Sequence, residues 1–292
     1  MNKKILITGA KGQLGYELPR TAPVDYECIL TDVSDLDITD AEFVNDFIVA
    51  SKPDVIINAA AYTAVDKAEQ EQHLALMINT IGAKNLAQVS KDKGIKLIQT
   101  STDFVFNGKS CSPYQVDALT DPQGVYGQTK DDGDKAVLEI LADDAFIIRT
   151  AWLYSAHGNN FVKTMLRLMS EKDQLGVIAD QIGTPTWANS LAQAIWQAIQ
   201  QDSTGIHHWT DAGVASWYDF AIAIQEEGLV QGLLKYKIPV NPLTTKDYPT
   251  PASRPAYSVL DKTTTWQTLG FQSEHWRIAL RKMLQELVVL NK

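Results

Sequence analysis

Residues 3–15 read KKILITGAKGQLG. Lys3 to Thr8 form a short β-branched run that stops at Gly9, and the segment from Gly12 has the form of a helix start, so the order is strand, turn, helix. Glycines at 9, 12 and 15 permit a tight turn, let backbone N–H groups approach a pyrophosphate, and let helix and strand pack closely. A helix N-terminus also favours negative charge. Glycine-rich turns serve as plain connectors elsewhere; the position of this one, directly after the first strand, points to a bound dinucleotide. Gly9, Lys11, Gly12, Gln13, Leu14 and Gly15 are the candidate contacts of this turn.

The same alternation continues outward. Tyr26 to Thr31, residues 53–58 (PDVIIN), residues 95–100 (IKLIQT) and residues 145–150 (AFIIRT) read as further strands. Helices are expected from about Asp40 to Ala50, in one long run from Asp66 to Lys93, and from Gly127 to Leu141. This order predicts an α/β fold, a doubly wound parallel sheet of Rossmann type with helices on both faces. After residue 150 the regularity fades: one helix is expected over 186–201, residues 235–260 hold five prolines, and an amphipathic helix spans about Glu274 to Val289. The expected division is a dinucleotide-binding domain over 1–150, with 186–201 crossing back to it, and a smaller loop-rich substrate lobe over 151–292.

Composition narrows the function classes. The 292 residues are 45% hydrophobic and 21% charged, an ordinary globular balance. A net charge of −9 opposes a phosphate backbone, and no basic stripe interleaves with aromatics, so a nucleic acid polymer is not an expected partner. No run approaches the ~18 apolar residues of a membrane span, and the apolar stretch near the N-terminus is too short for a signal peptide. A cytoplasmic protein with no membrane partner is expected. Cys28 and Cys111 sit in no metal-binding spacing, His207 and His208 would face opposite sides of a strand, and no metal is predicted.

Several strand ends carry candidate site residues. Asp32 lies 17 positions beyond Gly15, near the distance at which an acidic side chain meets the adenosine ribose, which leans toward NADH; Lys11 could accommodate a 2′-phosphate, so NADPH stays open. Asp37 and Ile38 are placed to frame the adenine. The small residues of Asn58-Ala59-Ala60-Ala61 leave room for a ligand, although close helix packing explains the alanines equally well. Ser101-Thr102-Asp103 ends the fourth strand, at the carboxyl edge where such sheets bind ligands. Tyr126 and Lys130 follow, four positions apart and therefore on one helix face. A hydroxyl, a phenol and an ammonium facing a nicotinamide suit carbonyl reduction: Tyr126 gives a proton to the oxygen, Thr102 hydrogen-bonds it, and Lys130 holds the ribose and acidifies the phenol. Asp131, Asp132 and Asp134 read as a solvated helix face, and the tryptophans at 187, 196, 217, 266 and 276 as packing.

Taken together, ITGAKGQLG (7–15), LDITD (36–40), NAAAYTAVDKAE (58–69), STDFVFNG (101–108), VYGQTK (125–130), RTAWLY (149–154), GNNF (158–161), QIGTPT (181–186) and RPAYSVLD (254–261) resemble the extended short-chain dehydrogenase/reductases and, within them, the dTDP-4-dehydrorhamnose reductases. The resemblance runs nearly end to end. It implies NAD(P)H-dependent reduction of the C4 ketone of dTDP-4-dehydro-L-rhamnose to dTDP-L-rhamnose, with Thr102, Tyr126 and Lys130 as the catalytic set. It further implies Asp103 beside the sugar, Ala61, Tyr62 and Thr63 in a cofactor-contacting loop, and Trp152 packed on the deoxysugar. Arg254 would suit the nucleotide phosphates, with a salt bridge as the rival reading. A dTDP-sugar is the implied partner, and a homodimer is compatible with it. Phe104 and Tyr257 depart from the family pattern and keep open a reductase of another NDP-4-keto-6-deoxysugar. A non-catalytic regulatory subunit, as in a branch serving methionine adenosyltransferase, is the alternative from another class.

Overall fold

The computed structural model describes residues 3–290. Its first half alternates β1 (Lys3–Thr8), α1 (Gln13–Thr21), β2 (Tyr26–Leu30), α2 (Ala41–Ser51) and β3 (Val55–Asn58). There follow α3 (Val65–Ala68), α4 (Gln72–Leu76), α5 (Ala83–Lys93), β4 (Lys96–Thr102), α6 (Val125–Leu141) and β5 (Phe146–Thr150). The second half holds short strands β6 (Leu153–Tyr154), β7 (Leu175–Ile178), β8 (Ile182–Gly183) and β9 (Thr186–Trp187), with α7 (Phe161–Glu171) between the first two. Next come α8 (Ala188–Gln200), β10 (Gly205–His208), β11 (Ala215–Ser216), α9 (Trp217–Val230), β12 (Val240–Leu243), α10 (Thr263–Leu269) and α11 (Trp276–Leu290).

Six strands form one parallel sheet in the order β10-β5-β4-β3-β1-β2. Each central strand is apolar on both sides, and side chains alternate between two cores. Ile5, Ile7, Val55, Ile57, Phe146 and Ile148 meet Leu14 and Leu18 of α1 and the apolar face of α8. Leu6, Ile56, Leu97 and Ile147 meet residues of α2, α5 and α6 on the other face. A strand buried on both faces loses the polar alternation of a half-exposed one, which is why KKILIT reads as a continuous run. Strand order reverses between β1 and β3, and the ligand crevice of such a sheet lies beyond the carboxyl ends at that point.

Residues after 150 contribute to both halves of the molecule. The helix α8 lies on α1, where Trp196 Nε1 donates to the Leu18 carbonyl (3.2 Å), and β10 then closes the sheet beside β5. A separate core joins α7, α9 and α11 through Met165, Phe220, Ile224, Leu280 and Met283. Among the described residues no helix is long and apolar enough to cross a membrane.

The single helix expected over 66–93 is in fact broken. Between α4 and α5 the backbone widens into a π-helical stretch, Met77–Gly82, and the chain also turns between α3 and α4. Such bulges cluster at functional sites. Here the bulge brings Asn79 against α6, so closely that a Cβ on Gly133 would lie 2.2 Å from the Asn79 carbonyl oxygen. Replacing Gly133 by alanine must therefore separate α6 from this stretch. The expected cost is about 1–3 kcal/mol of unfolding free energy, read from urea denaturation; an unchanged midpoint would show that the contact yields freely.

Candidate active site

The glycine turn is built by close approach. Gly9 has a φ of +66°, and a Cβ there would sit 2.7 Å from the Ala60 backbone, while one on Gly15 would sit 2.2 Å from the Gly9 carbonyl oxygen. Only glycine lets β1, α1 and the loop after β3 meet in this way. Gly12 is the N-cap of α1 and offers no side-chain cap, so the first N–H groups of the helix face the crevice. These features fit a pyrophosphate, which backbone N–H groups and the helix dipole would hold.

The other residues predicted around the dinucleotide divide into two kinds. Asp32 stands at this turn, its two oxygens accepting from the N–H groups of Lys11 (3.1 Å) and Val33 (2.9 Å). Leu14 and Ile38 are buried in the cores, leaving their backbone for a ligand, and Asp37 caps a turn by accepting from Thr39 N and Oγ1. Gln13 accepts from Asn160 Nδ2 (2.9 Å), the N-cap of α7, which explains part of the GNNF pattern. His157, unremarked in the sequence, stacks on Tyr16 and places Nε2 3.0 Å from the Lys11 carbonyl oxygen.

After β3, Ala60 and Ala61 are partly buried and Thr63 is exposed. Tyr62 is held through its backbone N–H, which donates to Asn79 Oδ1 (2.9 Å). Its hydroxyl donates to Glu71, and that bond pushes the phenol up to about 12. The π-helical stretch thus orders this loop through one asparagine, whose Nδ2 also donates to Thr129 Oγ1 (3.1 Å) in α6.

The hydroxyl, phenol and ammonium converge where β4 ends and α6 begins. Gly127 lies against the Phe104 carbonyl, where a Cβ would stand 2.3 Å from the oxygen; this brings the first turn of α6 onto the Thr102-Asp103-Phe104 turn. Glu69 caps the helix by accepting from Val125 N (2.9 Å). Phe104 packs edge-on to the Tyr126 ring at 5.5 Å. Thr102 Oγ1 donates to Asp103 Oδ1 (3.1 Å) and accepts from Phe104 N (3.2 Å). Lys130, 3% exposed, donates to the Thr100 carbonyl (2.7 Å).

The sequence reading has Lys130 and an adjacent nicotinium charge together acidifying Tyr126. The protein's own groups push the phenol up to about 12, by dehydration first and then by Asp103 and Asp134, with only a contact to Thr102 pulling the other way. The charge of Lys130 is directed at the Thr100 carbonyl, and burial holds the ammonium below its usual value.

The predicted solvated face of α6 is also corrected. Asp131 and Asp134 are each 1% exposed; Asp134 accepts from Ser101 Oγ (2.5 Å), and Asp131 from Thr120 Oγ1 (3.1 Å). Besides Lys135 on the same helix, their partners come from β4, β5 and a distant loop, which helix periodicity does not show.

Two substrate candidates are placed differently from expectation. Trp152 has a φ of +48°, a strained conformation for a bulky residue. Trp217 stacks on its indole at 3.6 Å, and Gly183 lies so close that a Cβ would fall 2.6 Å from Cε2 and 2.8 Å from both Cζ2 and Nε1. Those three distances put Gly183 over the ring, on the face opposite Trp217. Both indole faces are therefore covered, so Trp152 can offer a sugar its edge rather than the broad face the sequence suggested. Trp217, read as packing, is what fixes it. Arg254 forms the rival salt bridge, a bidentate pair with Asp66 (2.7 and 3.0 Å) that holds the carboxyl below its usual range. Asp103 is 2% exposed with Oδ2 unpartnered, and burial pushes it up to about 6.

The family model described as RmlD substrate binding domain matches residues 3–289. The dTDP-4-dehydrorhamnose reductase of Aggregatibacter actinomycetemcomitans is 43% identical over 289 residues, covering 96% of this chain and 98% of that one. The dTDP-4-keto-6-deoxy-D-glucose reductase of Streptomyces niveus is 38% identical, covering 96% of each. The crystal structure of dTDP-4-dehydrorhamnose reductase from Bacillus anthracis str. Ames, in complex with NADP, superposes with a TM-score of 0.92 at 38% identity, over 98% of this chain and 100% of that one.

The Asp103 carboxyl carries a stability cost that depends on pH. Folded protein keeps its proton to about pH 6, whereas the free side chain loses it near 3.8. Between those values the native state binds more protons than the unfolded chain, so this group's contribution falls as pH rises through the window. Asp103→Asn should therefore gain on the wild type from pH 4 to 6.5, levelling at up to about 3 kcal/mol. Urea denaturation at several pH values checks this, and a difference that does not change with pH would contradict it.

Proposed function

The chain belongs to the RmlD substrate binding domain family, and from that membership we propose that it reduces the C4 ketone of dTDP-4-dehydro-L-rhamnose to dTDP-L-rhamnose, drawing on NADPH or NADH. It is an oxidoreductase of the Rossmann type. The observation that carries the reading is the meeting of Thr102, Tyr126 and Lys130 at the carboxyl edge of β4, beside a glycine turn shaped for a pyrophosphate. In this reading residues 1–150, joined by 186–201, hold the cofactor and most of 151–292 receives the sugar nucleotide, in a cytoplasmic enzyme with no membrane or nucleic acid partner.

A reduced nicotinamide, when bound, supplies the hydride. Gly9, Lys11, Gly12, Gln13, Leu14, Gly15 and Asp32 would hold its pyrophosphate and ribose end, with Asp37, Ile38, Ala60, Ala61, Tyr62 and Thr63 along its course and Lys130 at the nicotinamide ribose. Tyr126 then protonates the C4 oxygen. A phenol near 12 is fully protonated at neutral pH, which is the state a donor needs. An oxygen becoming an alkoxide is basic enough to take that proton, so the reductive direction does not require the acidified tyrosine of the sequence reading. Thr102 orients the same oxygen, Asp103 and the edge of Trp152 receive the sugar, and Arg254 would reach the nucleotide phosphates only by leaving its pair with Asp66.

A second reading keeps the chemistry and changes the sugar. Phe104 stands edge-on to the donor phenol without a hydroxyl of its own, and the similar Streptomyces niveus enzyme is named for dTDP-4-keto-6-deoxy-D-glucose. The intact Thr102, Tyr126 and Lys130 set argues against a purely regulatory subunit.

Purified protein mixed with NADPH and dTDP-4-dehydrorhamnose should lose absorbance at the reduced-nicotinamide band. Tyr126→Phe keeps the ring and removes the donor, so turnover should fall at least about a hundredfold, the lower range for general acid catalysis, while NADPH affinity stays within a few fold. Full activity in that variant would overturn the assignment, and turnover of the 4-keto-6-deoxyglucose nucleotide alone would select the second reading.

A further inference from the structure

Behind Tyr126 lies a cluster of ionisable side chains with almost no solvent contact: Lys130 (3% exposed), Asp131 (1%), Asp134 (1%) and Arg149 (3%). Burying this many charges is costly, and apolar side chains of similar volume commonly serve stability as well or better. We propose that Asp134 is a positioning residue whose carboxylate keeps the buried Lys130 side chain an ammonium aimed at the carboxyl end of β4. This inference rests on the reading of Lys130 as a cofactor-binding group.

The geometry singles out Asp134 among the neighbours. It follows Lys130 by one helical turn on the same face. Ser101 Oγ, next to Thr102, donates to its Oδ2 (2.5 Å), tying the carboxylate to the strand whose Thr100 carbonyl accepts a hydrogen bond from Lys130 (2.7 Å). Its Oδ1 has no hydrogen-bond partner. Arg149 of β5 is its ion-pair partner at 3.7 Å and also donates to the Val116 carbonyl and lies over the Phe106 ring, so the one carboxylate answers two buried cations. Asp131 is engaged by Lys135 and Thr120. Nearby, Asp103 in the turn after β4 and Asp134 both bear on the Tyr126 phenol. Dehydration draws the ammonium toward losing its proton, and Asp134 is the charge that opposes this.

Removing the carboxylate lets Lys130 deprotonate at lower pH, so the alkaline limit of cofactor binding moves down, while a change in packing alone lowers affinity without moving that limit. NADPH affinity, followed by its fluorescence from pH 6 to 10.5, gives the readout without turnover. For Asp134→Asn, which keeps the shape and an acceptor for Ser101, the alkaline limb should fall by about one pH unit or more. Ser101→Ala removes the tether but leaves the charge, and its limb should stay at the wild-type pH. Asp134→Glu should restore the limb, and it serves as the test if the asparagine variant does not fold: a glutamate limb displaced downward overturns the proposal. A wild type without an alkaline limb, or an Asp134→Asn limb coincident with it, overturns it too. A displaced limb in an enzyme that turns over no keto-sugar would sustain this inference and sink the proposed function instead.

Discussion

The seating of α6 on the end of β4 governs the rest of the site. Two glycines make it possible: Gly127 admits the Phe104 carbonyl and Gly133 admits that of Asn79, each at a distance no Cβ could share. Two hydrogen bonds then secure the helix to the strand, Lys130 to the Thr100 carbonyl and Ser101 to Asp134. A phenol in the first turn of a helix anchored this way stands beside Thr102 without further adjustment. The cost is dehydration, and it appears in the raised Tyr126, Asp103 and Asp134 acids.

The dinucleotide cradle depends on a second close approach, Gly9 against the Ala60 backbone at the point where strand order reverses. Asn79 couples the two regions. Its side chain holds the Tyr62 backbone on the cofactor side and Thr129 on the catalytic side, and the π-helical stretch is what brings it within reach of both. The loop over the cradle comes from the second half of the chain, through Asn160 to Gln13 and Ser155 to the buried Glu17. Residues proposed to bear on cofactor and on sugar are thus interleaved in space.

Much of this was legible in sequence because it is local. Strands buried on both faces read as unbroken apolar runs, the glycine turn follows the first of them, and a spacing of four residues puts Tyr126 and Lys130 on one helix face. What the sequence did not reveal has long-range causes. Asp131 and Asp134 look like a solvated face until β4 and residue 120 are brought against them. The break at Met77–Gly82 contains no proline, and Gly82 with three β-branched residues is only a weak sign against a helix that continues on both sides. Trp152 shows its aromatic character but not that Trp217 and Gly183 cover it on both sides, and Arg254 gives no sign of its partner 188 positions away.

The central claim is that one oxygen of the substrate meets both the Tyr126 phenol and the Thr102 hydroxyl, with Lys130 on the cofactor side of the same helix face. A crystal structure with NADP and dTDP-L-rhamnose bound measures this directly. The account predicts the sugar O4 within about 2.6–3.2 Å of both hydroxyls and the Lys130 ammonium turned to the nicotinamide ribose. A sugar bound with its O4 remote from Tyr126, or a dinucleotide lying away from the Lys130 face of α6, would contradict it.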